Sequence, residues 1–256
     1  MIEEKAVNDI HSIMGTVKVI TIERNHKRRE AFHRYFNDIK YEFVIDLDMT
    51  TSYLENDFVS DLPASFFEKY DLDKNYCSKW SKGQLGCFAT EKRIIKNFND
   101  NNNLTILLDD AVPENNWKKK MIKSYDSLPY GWDALILGTR LGNEKKRFLR
   151  FFIHFKRILE NLIFKSDRIL TKKYNNYLDK RLGGINGIFG IIYSQNGIEK
   201  MINEPEKLRK DQDDVLISRL SRTSYLNVYI AYPQIVKEGE YDGSWTQKNF
   251  FQKTKV

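Results

Sequence analysis

The run Val17-Lys-Val-Ile-Thr-Ile22 opens residues 17–47, the stretch that decides the fold. Its β-branched side chains are typical of a strand. Apolar residues then recur at helical spacing between residues 32 and 39, and Tyr41-Glu-Phe-Val-Ile-Asp-Leu47 predicts a second strand. A strand, a helix and a strand in this order are typical of two parallel strands joined by a right-handed crossover, so the sequence predicts an α/β fold.

The same alternation continues towards the carboxyl terminus. Leu104-Thr-Ile-Leu-Leu108 is apolar throughout, which is typical of a central strand, and it ends in Asp109-Asp110. Further strands are predicted at residues 132–138, 186–193 and 225–231, and helices at 88–98, 117–125 and 194–201. From Lys237 onward we expect a loop.

Composition and missing motifs exclude several protein classes. Of the 256 residues, 41% are apolar and 13% aromatic, enough to fill the core of one large domain or of two small ones, and two cysteines cannot build a disulfide framework. The sequence lacks the G-x-G-x-x-G, G-x-x-x-x-G-K-[ST] and G-x-S-x-G runs of dehydrogenases, P-loop nucleotidases and α/β-hydrolases. Neither a signal-peptide core nor a membrane-spanning apolar run is visible, so we expect a cytoplasmic protein.

The net charge of +7 is concentrated in residues 144–173, where ten basic side chains accompany three acidic ones. Phenylalanine, leucine and isoleucine share this stretch at near-helical spacing, which predicts a basic amphipathic helical segment at about residues 144–180. Residues 147–173 would then lie on an anionic membrane surface, the inner face of the cytoplasmic membrane. The alternative is a helical hairpin packed on the core with a solvated basic rim.

Two acid clusters are candidates for chemistry. The adjacent carboxylates of Asp109 and Asp110 repel each other unless a cation lies between them, and their hard oxygens suit Mn²⁺ or Mg²⁺. Asp211, Asp213 and Asp214 precede a predicted helix, where an acid can bind a sugar hydroxyl or act as a general base. The alternative reading of both clusters is helix capping or a solvated turn.

Four basic residues follow the first strand, namely Arg24, Lys27, Arg28 and Arg29. Arginine at a strand-to-helix turn is well suited to phosphate oxygens, and a solvated helix face is the equal alternative. The four histidines do not show a metal-binding spacing, so we expect them to be surface or packing residues.

Taken together, these motifs resemble glycosyltransferase family 25, the lipooligosaccharide-type and procollagen-type galactosyltransferases. The family's V-I-N-L-x-R-R-x-x-R-R run resembles residues 19–29, its G-E-x-G-C-x-x-S-H run residues 83–91, and its L-E-D-D-A-V run residues 107–112. Its A-V-D-G, W-D-x-x-x-L-G, Y-x-x-S-x-x-G-A, P-V-D-D-x-L and P-x-x-V…S motifs resemble residues 44–47, 132–138, 193–198, 211–216 and 233–244. Eight motifs therefore follow the family order.

The resemblance implies a glycosyltransferase A-type nucleotide-sugar fold with a mostly parallel central sheet. We expect this domain at residues 17–245, between an N-terminal extension (1–16) and a C-terminal tail (246–256). The implied activity is metal-dependent transfer of galactose from a UDP-sugar to a glycan or lipid-linked glycan acceptor. The implied pathway is lipooligosaccharide or surface polysaccharide biosynthesis.

The family also implies roles for individual residues. Asp109 and Asp110 would hold Mn²⁺ or Mg²⁺ against the diphosphate. Asp213 is the candidate general base for the acceptor hydroxyl, with Asp214 as the adjacent alternative. The residues expected to contact the nucleotide sugar are Thr21, Arg24, Asp46, Gln84, Gly86 and Asp109.

The sequence departs from the family at a few of these positions. Leu108 and Gln84 replace glutamates, Thr90-Glu91 replaces Ser-His, and Thr21 replaces Asn. Only Asp109 and Asp110 then remain to hold a metal, so an inactive relative that serves as a binding or partner subunit is one alternative. A nucleic-acid-binding protein is another, based on the basic segment, but the sequence lacks an RRM, KH or helix-turn-helix signature.

Overall fold

A computed structural model describes residues 9–45, 64–69, 82–139, 171–181, 187–204 and 213–239. The strands are β1 (Thr16–Thr21), β2 (Glu42–Ile45), β3 (Leu104–Leu108), β4 (Ala111–Pro113), β5 (Ala134–Thr139), β6 (Thr171–Lys173), β7 (Leu178–Arg181), β8 (Ile188–Tyr193), β9 (Val228–Ala231) and β10 (Val236–Glu238). The helices are α1 (His26–Tyr35), α2 (Ala64–Lys69), α3 (Lys82–Lys96), α4 (Trp117–Asp126), α5 (Gln195–Ile202) and α6 (Asp213–Arg222). Residues 9–14 are also helical.

Eight of the described strands form one sheet in the order β2-β1-β3-β8-β5-β9-β7-β6. Strands β2, β1 and β3 are parallel, as are β5 and β9, whereas β8 and β7 are antiparallel to their neighbours. Six strands therefore point one way and two the other. The predicted α/β class and mostly parallel sheet, consistent with a glycosyltransferase A-type fold, are confirmed.

Helices cover both faces of the sheet, because successive strand residues point to opposite sides. Ile20, Ile106 and Ile136 face a core that includes buried residues of α3, α5 and α6. Their chain neighbours Val19, Leu107 and Leu135 face a second core, against α1, α4 and the helical residues 9–14. The result is a three-layer α/β/α arrangement, which leaves the strand ends as the place for a site.

The amino-terminal boundary is earlier than we predicted. Ile10, Ile13 and Met14 were assigned to an extension, yet each is less than 10% exposed and packs in the second core. The three side chains recur at helical spacing and cover Val17 and Val19 of β1. These residues therefore belong to the domain.

A further prediction is corrected by the strands. Residues 171–181 form the antiparallel pair β6–β7 instead of the end of a helix, because β7 joins the sheet beside β9 and buries Leu178. The remainder of the predicted basic helical segment, residues 144–170, lies outside the described residues. Among the residues that are described, none forms a helix long and apolar enough to cross a membrane.

Helix α3 begins at Lys82, six residues before the start predicted from the sequence, because the run through Gly83 and Gly86 is itself helical. Leu85, Phe88 and Ala89 are all buried on this helix. Their burial compensates for the low helix propensity of the two glycines.

The predicted loop at Lys237 is in fact part of β10, which pairs antiparallel with β4. This small sheet crosses the main one, where a Cβ at Gly138 would lie 2.0 Å from the carbonyl oxygen of Val236. Glycine is therefore required at this crossing. Because the Gly239 N–H donates to the Asp110 carbonyl at 2.7 Å, the crossing also fixes the backbone directly after β3.

Candidate active site

Thr21 and Asp109 meet at the carboxyl ends of two neighbouring parallel strands. Ile20 of β1 is paired with Leu108 of β3. The residues that follow them, Thr21 and Asp109, therefore lie side by side. The Asp109 N–H continues the ladder by donating to the Ile20 carbonyl at 3.1 Å. The Thr21 hydroxyl donates to Asp109 Oδ2 at 2.7 Å, and both residues are about 95% buried.

Asp109 accepts hydrogen bonds from three side chains of the β1–α1 region. Besides Thr21, the Asn25 amide donates to Oδ2 at 2.9 Å and Arg28 Nη1 donates to Oδ1 at 3.2 Å. Both carboxylate oxygens are therefore engaged. Through these hydrogen bonds Asp109 holds the turn after β1 against the end of β3.

Arg28 is the positive charge shared by the acid pair. Its Nη1 lies 3.2 Å from Asp109 Oδ1 and 3.7 Å from Asp110 Oδ2. The side chains of Arg28 and Asp110 are 19% and 16% exposed, so the charges are largely screened from water by protein. The Arg28 guanidinium thus places positive charge next to both carboxylates.

The β1–α1 turn presents a helix amino terminus to the same edge. Asn25 occupies the N-cap position of α1, but its amide donates to Asp109. Arg29 closes the turn by donating to the carbonyls of Ile22 and Glu23 at 2.6 and 2.9 Å. The first turn of α1 carries His26, Lys27 and Arg28, a charge pattern that favours an anion at this helix end.

A divalent cation fits Asp110 better than it fits Asp109. Both oxygens of Asp109 already accept hydrogen bonds, while the ion pair between Asp110 Oδ2 and Arg28 is longer, at 3.7 Å. Within the described ranges, three or more His, Cys, Asp or Glu side chains never gather into a metal-binding group. A single protein carboxylate is nevertheless enough when diphosphate oxygens and water complete the coordination of the cation.

The other predicted contact residues divide into three groups. Arg24 lies exposed on the β1–α1 turn. Gly86 is buried in α3, where its carbonyl accepts the Thr90 hydroxyl at 2.7 Å. Asp46 and the side chain of Gln84 lie outside the described residues. Of the predicted donor-site residues, the structure therefore brings together Thr21, Asp109 and Asp110, with Arg24 on the neighbouring turn.

Asp213 is the first residue of α6, and Asp214 is the second. A short connection joins α6 to β9. Near the end of this connection the Leu226 N–H donates to the Leu220 carbonyl. A helix joined to a strand by so short a connection is expected to run antiparallel to it, and the first turn of α6 would then lie at the edge where β9 and β3 end. Because only the backbone of the two aspartates is described, their role as base stays a prediction.

Two other motifs of the sequence meet at the opposite edge and bind each other. Asp133 is fully buried before β5 and accepts from Lys200 Nζ and the Asn227 N–H, each at 2.7 Å, and from the Asn196 amide. Ser194 caps α5 by accepting from the Gly197 N–H at 3.1 Å. A Cβ at Gly197 would lie 2.1 Å from the Asp133 carbonyl oxygen. The contacts between these two motifs therefore stabilise the fold.

Glu91, which replaces a family histidine, is buried inside the first core. It accepts the hydroxyl of Tyr193 at 2.9 Å, and Tyr193 is itself fully buried at the end of β8. The pair joins α3 to the sheet. This departure from the family therefore has a structural partner, which the sequence alone did not indicate.

Sequence reasoning missed two contributors to the site. Asn25 was not singled out, although an asparagine directly before a helix and after a strand end is a common polar contact. Arg28 was recognised only as one of four basic residues. The signal that would have identified both is the strand register, which sets the β1–α1 turn against Asp109.

Residues 14–216 match the family model described as glycosyltransferase family 25, LPS biosynthesis protein. The match includes β1, β3 and the start of α6, and so contains every residue of the site described above. A search of curated proteins gave no match.

Proposed function

The chain belongs to glycosyltransferase family 25, and from this premise we propose that it transfers galactose from UDP-galactose to a glycan acceptor. The acceptor would be a lipooligosaccharide or surface polysaccharide intermediate. The observation that carries the proposal is the charged edge formed by Asp109, Asp110 and Arg28 at the end of β3. A helix amino terminus and a pair of carboxylates side by side suit a diphosphate bound together with a cation.

The diphosphate is proposed to lie between the β1–α1 turn and Asp110. Arg24 and the first turn of α1 would bind its oxygens, since guanidinium groups and helix amino termini both favour phosphate. Thr21 and Asn25 would keep Asp109 in place and so hold the turn in its binding conformation. Asp46, Gln84 and Gly86 are proposed to contact the rest of the nucleotide sugar.

Asp110 would hold Mn²⁺ or Mg²⁺. When bound, such a cation neutralises the charge that develops on a departing UDP. Asp213 at the start of α6 would take the proton from the acceptor hydroxyl, and Asp214 is the adjacent alternative. With the first turn of α6 at the edge where β3 ends, donor and acceptor would meet there.

A donor assay tests the proposed reaction. We would measure UDP release from UDP-galactose, UDP-glucose and UDP-N-acetylglucosamine with Mn²⁺, with Mg²⁺ and with EDTA. We expect metal-dependent release, fastest from UDP-galactose. Failure to release UDP from any donor, by protein that still binds UDP, would instead favour the partner-subunit alternative. EDTA-insensitive release would contradict the metal.

A peripheral position on the inner membrane surface is a separate part of the proposal. It rests on residues 147–173, whose eight basic and two acidic side chains accompany many apolar ones. Each basic residue near an anionic leaflet contributes about 1 kcal/mol. Co-sedimentation with anionic vesicles that falls at high salt is expected, whereas equal binding to neutral vesicles, or none to either, would contradict it.

A further inference from the structure

Arg28 occupies the position between the two carboxylates in which a shared cation would be expected. Its guanidinium contacts Asp109 at 3.2 Å and Asp110 at 3.7 Å, and only 19% of its side chain is exposed. Two adjacent carboxylates, one buried and one largely so, would repel each other without a counter-ion. The chain therefore supplies its own positive charge at this point.

The two contacts of Arg28 differ in kind. The contact with Asp109 has hydrogen-bond geometry, and the same carboxylate also accepts from Thr21 and Asn25. The contact with Asp110 is an ion pair beyond hydrogen-bond distance. Asp109 thus anchors the guanidinium, while Asp110 is neutralised by it more loosely.

We propose that Arg28 is a built-in counter-ion that competes with a divalent cation for Asp110, and that Asp109 is a positioning residue that holds Arg28 and does not ligate the cation. The inference rests on the proposed function only for the existence of a cation site. It predicts that cation binding is weakened by a residue of the chain itself, so that the site fills more readily when a diphosphate adds its own negative charge.

The test uses Mn²⁺ alone, without nucleotide, and measures its affinity by calorimetry. The variant Arg28→Gln removes the competing charge and should bind Mn²⁺ at least about tenfold more tightly than the wild type, given the strength of unit charges about 4 Å apart in protein. Lys27→Gln is the matched control, since it removes one exposed charge from the neighbouring position of α1. Its affinity should stay within about twofold of the wild type.

Two further variants assign the effect to this site. Adding Asp110→Asn to Arg28→Gln should abolish the gained affinity. Arg28→Lys keeps the charge but offers a single point of contact, so we expect a smaller gain in Mn²⁺ affinity, of about threefold. If Arg28→Gln does not fold, the Mn²⁺ affinity of Arg28→Lys tests the proposal in its place.

Equal Mn²⁺ affinity of wild type and Arg28→Gln, including a lack of measurable binding by either, would overturn the proposal. Weaker binding by Arg28→Gln, or an equal gain in Lys27→Gln, would do the same. Because nucleotide and acceptor are absent, these outcomes are independent of whether the donor assay succeeds.

Discussion

Two carboxylate networks lie at opposite edges of the sheet, and they differ in how far protein encloses them. Asp133 is fully buried, and its oxygens accept hydrogen bonds from a lysine, a backbone N–H and an amide. Asp110, at the other edge, keeps 16% exposure and shares a guanidinium with Asp109. A carboxylate enclosed by its own chain stabilises the fold, whereas a partly exposed carboxylate at a charged edge can contact a ligand.

The largest expected effect breaks the open network. Asp110→Asn keeps the shape of the side chain and removes its charge, so we expect transfer to fall by about 10⁴-fold, the value of several kcal/mol of cation-assisted catalysis. The thermal midpoint should change little. Steady-state UDP release together with circular dichroism checks both points, and near-normal turnover would remove Asp110 from the site.

The next variant tests whether α6 completes the open edge. Asp213→Asn should reduce turnover by on the order of 10²–10⁴-fold while UDP affinity stays near the wild-type value, because a general base acts on the acceptor. Kinetics with saturating donor and calorimetry with UDP separate the two quantities. A normally active variant would make Asp213 a helix residue only, and Asp214→Asn would then be measured.

The closed network should respond in stability. Asp133→Asn leaves Lys200 without its partner charge, so we expect the free energy of unfolding to drop by about 2–4 kcal/mol. Urea denaturation measures this loss. Activity per folded molecule should be unchanged, and a selective loss of activity would show that the two edges are coupled.

The smallest effect sharpens the same point. Ser194→Ala removes the hydroxyl that caps α5 and should cost about 1 kcal/mol of stability. The control is Ser194→Thr, which keeps the hydroxyl and should lie close to the wild type in urea denaturation. Equal losses in the two variants would show that packing, and not the cap, determines the effect.

Local patterns predicted much of this fold. The β-branched run at Val17 and the apolar run at Leu104 are strands, and the acid pair at Asp109 does end a strand at the edge where ligands bind in such sheets. These features depend on side chains close in sequence, and periodicity reports them directly.

Long-range pairing was not predictable in the same way. Strand β10 is three residues long and forms because β4, more than a hundred residues earlier, is available to pair with it. The antiparallel directions of β8 and β7 likewise follow from the topology. Short elements with little periodicity of their own depend on such partners.

The site was predictable by residue type but not by role. Sequence reasoning assigned both Asp109 and Asp110 to the metal, and Asp109 also to the substrate, whereas in the structure Asp109 accepts hydrogen bonds from Thr21, Asn25 and Arg28. It also placed Trp132-Asp133 and Tyr193-Ser194 among the motifs without indicating that they bind each other. Distances between motifs far apart in sequence decide such roles.

The most direct test of the account compares UDP binding at the two edges. Calorimetry with UDP and Mn²⁺ would be performed on the wild type, Asp110→Asn and Asp133→Asn, each under conditions where it is folded. We predict that the wild type and Asp133→Asn bind UDP with equal affinity and that Asp110→Asn loses most of it. Unchanged binding by Asp110→Asn, or an equal loss in Asp133→Asn, would contradict the assignment of the donor site to the end of β3.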